Sequence, residues 1–310
     1  MSTWNRYEAP NIGLLFNKQI YKEEAILKET DNLAAPSKSR LSIENKDGRE
    51  ELKIFVDETD KKKKSPFDAF YMDLYKQKSG SFAQLINESA HQRFTLTTTY
   101  PGLLLGSGYI HDTKAKGDFK IGFFFDHTSG QPIIPGSSVK GVCRSVFETD
   151  VAEGENFTGD QSVVAVRFIF NELLEAKKNN PQFKQRDTIN KIIAGLTPAN
   201  LKILVEEIFG NDKAKGMDIF FDAVLDMKLN GSKEFLANDF ITPHFPHVLQ
   251  NPIPIQFLKV KSGIAFEFRF RLCTSGEWTD EIKRLFFKQV LSTLGIGAKT
   301  NVGYGQFESL

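Results

Sequence analysis

An alternation of apolar and polar side chains constrains the fold of this chain more than any other feature. Between residues 264 and 272, apolar side chains stand at every second position, and three of them are phenylalanines. The apolar positions of residues 93–100 and 119–125 show the same period of two. Side chains that alternate in this way point to opposite faces of a strand, so the three segments predict half-buried β-strands.

Helical patterns separate and follow these strands. Residues 163–178 and 281–294 carry apolar side chains at helical spacing. A third helix is predicted for Pro198–Phe209, with Thr197 as its N-cap and Gly210 as its stop signal. In the helix at 281–294, the predicted buried face consists of Ile282, Leu285, Phe286, Val290 and Leu294. The elements interleave without a regular βαβ repeat, which predicts an α+β, ferredoxin-like fold of the kind that RNA-recognition domains use.

Composition limits the class of protein without selecting a function. The 310 residues include 28 Phe, so we expect a core built largely from phenylalanine. The N-terminal ten residues have no apolar signal core and no apolar run is long enough to span a membrane, which predicts a cytoplasmic protein without membrane contact. Cys143 and Cys273 stand alone, with no CxxC motif and no nearby His, which argues against a disulfide framework and a structural zinc site. Because the net charge is only +1, any nucleic-acid contact must be a local patch.

Charge is concentrated in the N-terminal part of the chain. Residues 44–64 are dominated by charged side chains and end in a run of four lysines, 61–64. They predict a solvated loop, with a basic run that contacts RNA as the alternative. We predict an N-terminal segment, 1–85, packed on a core domain, 86–310.

A first glycine-containing loop lies at residues 134–144. It follows a strand-like segment and leads into a short helix, on which Lys140 and Arg144 are four residues apart and share one flank. Gly136 and Ser137, followed by Ser138, stand at the start of this helix, where open backbone N–H groups bind anions. The predicted function is contact with a phosphate chain, and the alternative is an ordinary strand-to-helix turn.

A second loop, 294–305, follows the last predicted helix and precedes a predicted strand at 306–310. It is rich in glycine, which lets backbone approach a ligand closely, and its other side chains supply donors. Its predicted RNA-binding residues are Gly295, Gly297, Lys299, Thr300, Asn301, Gly303, Tyr304 and Gly305. The order GxxxxGK[ST] is absent, so a nucleotide triphosphate site is not predicted. The alternative is that these glycines only turn the chain from helix to strand.

Histidines and aspartates are the candidate catalytic groups of this sequence. His111, His127, His244 and His247 have no catalytic partner that the sequence identifies. Asp112, Asp118 and Asp126 are isolated carboxylates without a DxD or HD pair, so no metal and no cofactor are predicted. Asp218 and Asp222 alternate with apolar residues, which predicts solvent-facing strand positions for both. We therefore expect a protein that is not an enzyme.

Aromatic side chains offer a further way to hold RNA. Tyr109, Phe124 and Tyr304 are candidates for stacking on a splayed base. With so many phenylalanines, however, most aromatic side chains must lie in the core. The octapeptide [KR]G[FY][GA]FVx[FY] of recognition domains is absent, so stacking on the sheet face is not predicted.

The two loops, together with residues 209–222, resemble the RAMP superfamily of type III CRISPR effector complexes. The similarity is greatest to the group of sixth subunits of Cmr (type III-B) complexes, and it lies in residues 241–245, 251–258 and 297–305. Residues 11–16 are weakly similar to the N-terminus of that group. The resemblance implies a RAMP core with insertions in a non-catalytic subunit at the end of a filament. It also implies contacts with the 3′ part of the guide RNA (crRNA), with target RNA and with other Cmr-type RAMP subunits.

Two other functions stay open at this point. One is a metal-independent endoribonuclease of the same superfamily that processes guide RNA, and the other is a small-molecule enzyme that uses the second loop.

Overall fold

A computed structural model describes residues 39–46, 49–56, 90–106, 123–126, 130–148, 160–231, 234–241 and 254–309, and for the first two ranges it describes the backbone only. The strands are β1 (Ser39–Lys46), β2 (Arg49–Val56), β3 (Gln92–Thr98), β4 (Ile219–Phe220), β5 (Val224–Leu225), β6 (Leu236–Ile241), β7 (Ile255–Val260), β8 (Ala265–Arg271) and β9 (Phe307–Glu308). The helices are α1 (Gly136–Ser145), α2 (Asp160–Ala176), α3 (Arg186–Gly195), α4 (Pro198–Phe209), α5 (Met227–Asn230) and α6 (Asp280–Leu294), with a 3₁₀ turn at Thr300–Val302.

The described residues fall into two compact units. One unit contains the antiparallel pairs β1–β2 and β6–β7 together with the described residues between 104 and 132. The other unit contains residues 90–103, 133–231 and 261–309. The predicted boundary at residue 85 stays a prediction, because it lies outside the described residues.

The second unit is built on an antiparallel five-stranded sheet. Its order is β4–β8–β3–β9, and β5 also pairs with β8. In the register of β3 and β8, Phe94 faces Phe268 and Leu96 faces Phe266. Helix α6 packs against β3, β9, α1 and α2. The predicted α+β combination of helices and sheet is therefore confirmed.

Phenylalanine forms much of the core of this unit, as predicted from composition. Phe94 stacks on Phe268 and Phe270, with ring centroids 5.4 and 5.3 Å apart. Phe286, on α6, contacts the rings of Phe147 and Phe170. Burial of each such side chain contributes roughly 1.5–3 kcal/mol to stability. Aromatic contacts thus help to hold the sheet and its helices together, beside the aliphatic side chains of the same core.

Helix α4 confirms the capping signals in the sequence. It begins after Thr197, whose hydroxyl accepts a hydrogen bond from the Asn200 N–H, and it ends at Gly210 with φ = 82°. Helix α3 was not predicted. It has ten residues, and its buried residues are Ile189 and Ile192.

Several predicted elements differ from the structure. Residues 44–46 and 49–56 form strand rather than loop, and four of the five residues 52–56 are apolar, among them the β-branched Ile54 and Val56 that favour a strand. Of the predicted strand at 119–125, residues 119–122 lie outside the described part, and Phe125 makes an isolated bridge with Pro132. The last predicted strand is limited to Phe307–Glu308.

The buried face of α6 is also wider than predicted. It includes Lys283, Phe287 and Leu291, whereas Leu285 is half-buried and Leu294 is 41% exposed.

Among the residues that the structure describes, no helix combines the length and apolarity needed to cross a membrane.

Candidate nucleic-acid interface

The start of α1 is closed by the protein's own carboxylate. Pro135 precedes the helix, and the Gly136 N–H donates to Asp222 Oδ1 over 2.6 Å. A Cβ atom at Gly136 would overlap the carbonyl oxygen of Phe220, so only glycine fits here. The prediction that the Gly136 N–H is open to phosphate is therefore wrong. Ser137 and Ser138 are exposed, and their contact with RNA stays a prediction.

Lys140 and Arg144 both have partners within the chain. The Lys140 ammonium donates to the carbonyl oxygen of Phe209 over 2.8 Å. Phe209 is the last residue of α4, where a cation interacts favourably with unpaired carbonyls and the helix dipole. Arg144 Nε donates to Glu148 Oε1 over 2.7 Å in an exposed pair, which contributes about 0.3–0.5 kcal/mol. Lys140 therefore links α1 to α4, and Arg144 is held only weakly.

A cleft of about 350 Å³ lies beside Arg144. The apolar part of its lining includes Phe147 and Leu201. Two cations, Arg144 and Lys202, and two anions, Glu148 and Glu206, also line it. Because these formal charges cancel, the cleft has no net attraction for a phosphate chain.

The second loop is closed at its base by backbone contacts. The Ile296 N–H donates to the carbonyl oxygen of Gly305 over 2.9 Å, and the Gly305 N–H donates to that of Gly102 over 2.8 Å. Gly295 and Gly305 have φ values of 71° and 70°. A Cβ at Gly305 would overlap the Ile296 carbonyl oxygen, and one at Gly295 would lie 2.5 Å from the Gly305 carbonyl oxygen. The protein backbone therefore fills the space beside these two glycines.

The tip of this loop presents Lys299. Its φ is 61°, and among the described residues it is the one non-glycine residue with positive φ. This left-handed conformation costs roughly 1–2 kcal/mol. The Lys299 ammonium makes no ion pair or hydrogen bond with a residue that the structure describes. The backbone is therefore strained at Lys299, and the ammonium of this residue has no partner within the described part of the chain.

Other predicted contacts surround Lys299. Gly297 and Asn301 are exposed, and Thr300, Gly303 and Tyr304 are half-buried. Gly303 has φ = 96°, a left-handed conformation that favours glycine. Contact of these residues with RNA stays a prediction, as does convergence of the two loops on one RNA chain.

The strand predicted for residues 93–100 includes Tyr100 among its apolar positions, and at this residue the prediction is wrong. Strand β3 ends at Thr98, and the Tyr100 side chain is 87% exposed. It adjoins the second loop, because its neighbour Pro101 has Cδ 3.6 Å from where a Cβ at Gly303 would lie. The early end of β3, marked by Pro101, is the sequence signal that could have found it. Of the other aromatic candidates, Tyr304 and Phe124 are half-buried, and Tyr109 lies outside the described residues.

The two aspartates assigned to solvent have structural roles instead. Asp218 is buried and bound by Lys283, over 2.9 Å, and by the Cys273 N–H. Burial raises the pKa of Asp218, although the Cys273 N–H and Lys283 partly offset this effect. Asp222 binds the N-terminus of α1, as described above. The prediction of solvent-facing positions is wrong, because each carboxylate accepts a backbone hydrogen bond.

Among the described residues, no group of three or more His, Cys, Asp or Glu side chains could hold a metal ion. The histidines 111, 127, 244 and 247, and the aspartates 112 and 118, lie outside these residues. The absence of catalysis therefore stays a prediction.

Comparison with known proteins yields one family and several relatives. The family model "RAMP superfamily" matches residues 95–308. The chain is 27% identical to "CRISPR system Cmr subunit Cmr6" of Pyrococcus furiosus, over 97% of this chain and 95% of that protein. A crystal structure of Cmr6 from Pyrococcus furiosus matches with a TM-score of 0.42 and 25% identity, over 72% of this chain and 99% of that one. A cryo-EM structure of the type III-B Cmr-beta bound to cognate target RNA matches with a TM-score of 0.44 and 20% identity, over 73% of this chain and 61% of that one.

Proposed function

The chain belongs to the RAMP superfamily, and from this premise we propose that it is a non-catalytic, guide-RNA-binding subunit of a type III-B CRISPR effector complex. The name of the Pyrococcus relative supports the complex, since that protein is a Cmr subunit. We further propose a ferredoxin-like RAMP core and a position near the 3′ end of the guide. The proposed partners are guide RNA, target RNA and other Cmr-type RAMP subunits, in the cytoplasm.

The RNA-binding proposal rests on Lys299, because its ammonium has no partner within the described part of the chain. Lys140 and Arg144 are engaged by Phe209 and Glu148, whereas Lys299 has no partner among the described residues. Glycines at 297 and 303 flank it, and Gly297 is exposed. A partially exposed ammonium on a backbone fixed by the closed loop base is suited to a phosphate group, which Lys binds as a point charge.

Binding of a fluorescein-labelled guide-RNA fragment, measured by anisotropy across a salt series, tests this proposal. The full chain is used, purified alone or with its genomic neighbours. Lys299→Gln removes the charge and keeps a long polar side chain, so we expect weaker binding and a log K–log salt slope reduced by about 0.7, the value of one phosphate contact on a single strand. Lys178→Gln is the control, because Lys178 is an exposed lysine in the turn after α2 whose ion pair is with Glu175.

Unchanged affinity and slope for Lys299→Gln would contradict the proposed role of Lys299. Failure of the unaltered protein to bind RNA, alone or with Cmr partners, would contradict the function itself. Incubation with repeat RNA in EDTA tests the non-catalytic assignment. Specific cleavage under these conditions would favour the guide-processing endoribonuclease instead.

A further inference from the structure

Tyr100 combines high exposure with a rigidly held backbone. Its side chain is 87% exposed, compared with 63% for Val164, the next most exposed large apolar side chain among the described residues. Single exposed apolar residues are common on protein surfaces, so exposure does not itself indicate a site. The environment of Tyr100 supplies the further evidence.

The backbone on both sides of Tyr100 is fixed by hydrogen bonds. Before Tyr100, Thr98 makes two hydrogen bonds with the turn that follows β7. The Gly263 N–H donates to the Thr98 carbonyl oxygen over 2.7 Å. Thr98 Oγ1 donates to the Lys261 carbonyl oxygen over 2.7 Å. The Thr99 N–H donates to the carbonyl oxygen of Gln306 over 3.0 Å. Tyr100 therefore projects from a backbone held between two parts of the sheet.

The residues after Tyr100 join it to the second loop. The Gly102 carbonyl oxygen accepts from the Gly305 N–H, and Pro101 lies against Gly303. These contacts join the backbone next to Tyr100 to the loop whose tip carries Lys299. An exposed aromatic residue, a cation at the loop tip and the exposed Gly297 supply the three elements of a single-strand binding surface: a stacking face, a phosphate contact and close approach.

We propose that Tyr100 is the stacking platform for one unpaired base of the bound RNA, next to the phosphate that Lys299 contacts. This inference rests on the proposed function. It assigns RNA rather than a protein partner, because the neighbouring loop presents glycine backbone and a cation, whereas protein hot spots lie within well-packed, desolvated pockets. Stacking on a rigid ring has no requirement for a particular base, since every base has a π-face.

Variants of Tyr100 distinguish stacking from other roles in the anisotropy assay. Tyr100→Ala should weaken binding about 5- to 150-fold, the effect of losing one stacked base. Tyr100→Phe should bind like the unaltered protein, whereas Tyr100→Leu, which is apolar without a π-face, should resemble Tyr100→Ala. The salt slope should not change in any of the three, because no phosphate contact is lost. Phe168→Ala is the control, since Phe168 is a 52% exposed aromatic residue on α2, and its affinity should not change.

A second measurement locates the contact directly. Guide RNA that carries 5-bromouridine should crosslink to Tyr100 on irradiation, and Tyr100→Leu should abolish that crosslinked peptide. Thermal melts should be the same for all variants, because the ring is exposed.

The outcomes separate the inference from the function on which it rests. If Tyr100→Ala binds RNA normally while Lys299→Gln binds weakly, the platform is wrong and the function stands. If Tyr100→Ala loses co-purification with Cmr subunits but keeps its RNA affinity, the ring contacts protein and the inference is overturned. If the unaltered protein binds no RNA, both fall.

Discussion

The ammonium of Lys283 lies 2.9 Å from Asp218 Oδ2, and neither side chain is accessible to solvent. Lys283 comes from α6, and Asp218 immediately precedes β4, so the pair joins a helix to the edge of the sheet. Two charges removed from water are stable only when each has its partner. Lys283→Met should therefore lower the free energy of unfolding by about 3–5 kcal/mol, as measured by urea denaturation.

The control for this variant is Lys178→Met, because the Lys178 side chain is 66% exposed and should change stability by less than about 0.5 kcal/mol. The double variant Asp218→Asn/Lys283→Met should lose less stability than the sum of the single variants, since no buried charge is left unpaired. A strictly additive result would contradict the coupling of the two residues.

This pair also shows why the fold could be predicted further than the site. The period of apolar residues located β3, β8, α4 and α6, because burial of one face leaves a pattern in the sequence. The same pattern cannot reveal a buried charge pair, since Asp218 and Lys283 are 65 residues apart and each one looks like an ordinary surface residue.

The sequence also predicted only part of the candidate interface. Glycine readily adopts positive φ, and Gly295, Gly297, Gly303 and Gly305 all have it. Whether a glycine approaches a ligand or its own backbone depends on tertiary contacts, and Gly305 approaches the backbone of Ile296.

Lys140→Ala should affect stability more than sequence spacing suggests. Its ammonium bonds the carbonyl oxygen of Phe209 at the C-terminus of α4, so its removal should cost about 0.5–2 kcal/mol. Arg144→Ala should cost less than about 0.5 kcal/mol, since it loses an exposed ion pair. Thermal melts of both variants test this order. Equal melting temperatures would show that the Phe209 contact contributes nothing.

Two glycine-to-alanine substitutions should have opposite effects. Gly305→Ala places a Cβ against the Ile296 carbonyl oxygen at φ = 70°, so we expect a loss of at least 1–2 kcal/mol, from backbone strain of roughly that size and from displacement of the loop base. Gly141→Ala, within α1, meets no atom within 4 Å and should stabilise the protein by about 0.5–1 kcal/mol. Denaturant midpoints measure both. Stabilisation by Gly305→Ala would mean that the loop base is open.

The two cysteines should differ in reactivity. Cys143 is fully buried on α1, and burial raises the pKa of its thiol, whereas Cys273 is half-buried. Because the thiolate is the reactive form, an aromatic disulfide reagent should modify Cys273 first and should reach Cys143 only when the protein unfolds. Fast modification of both thiols under native conditions would contradict the burial of Cys143.

The raised pKa of Cys143 also sets a dependence of stability on pH. In the unfolded chain the thiol has an ordinary pKa of about 8.5 and loses its proton above that pH. The folded state keeps the proton at these pH values, because burial raises the pKa of the Cys143 thiol. The folded state then binds more protons, so the stability contributed by this group is complete below about pH 8.5 and declines as the pH rises further. We expect the free energy of unfolding to fall by up to about 1.4 kcal/mol per pH unit from this thiol. Cys143→Ala should show a shallower decline than Cys273→Ala, which controls for other groups that titrate in the same range. Identical slopes for these two variants would show that the Cys143 thiol does not contribute.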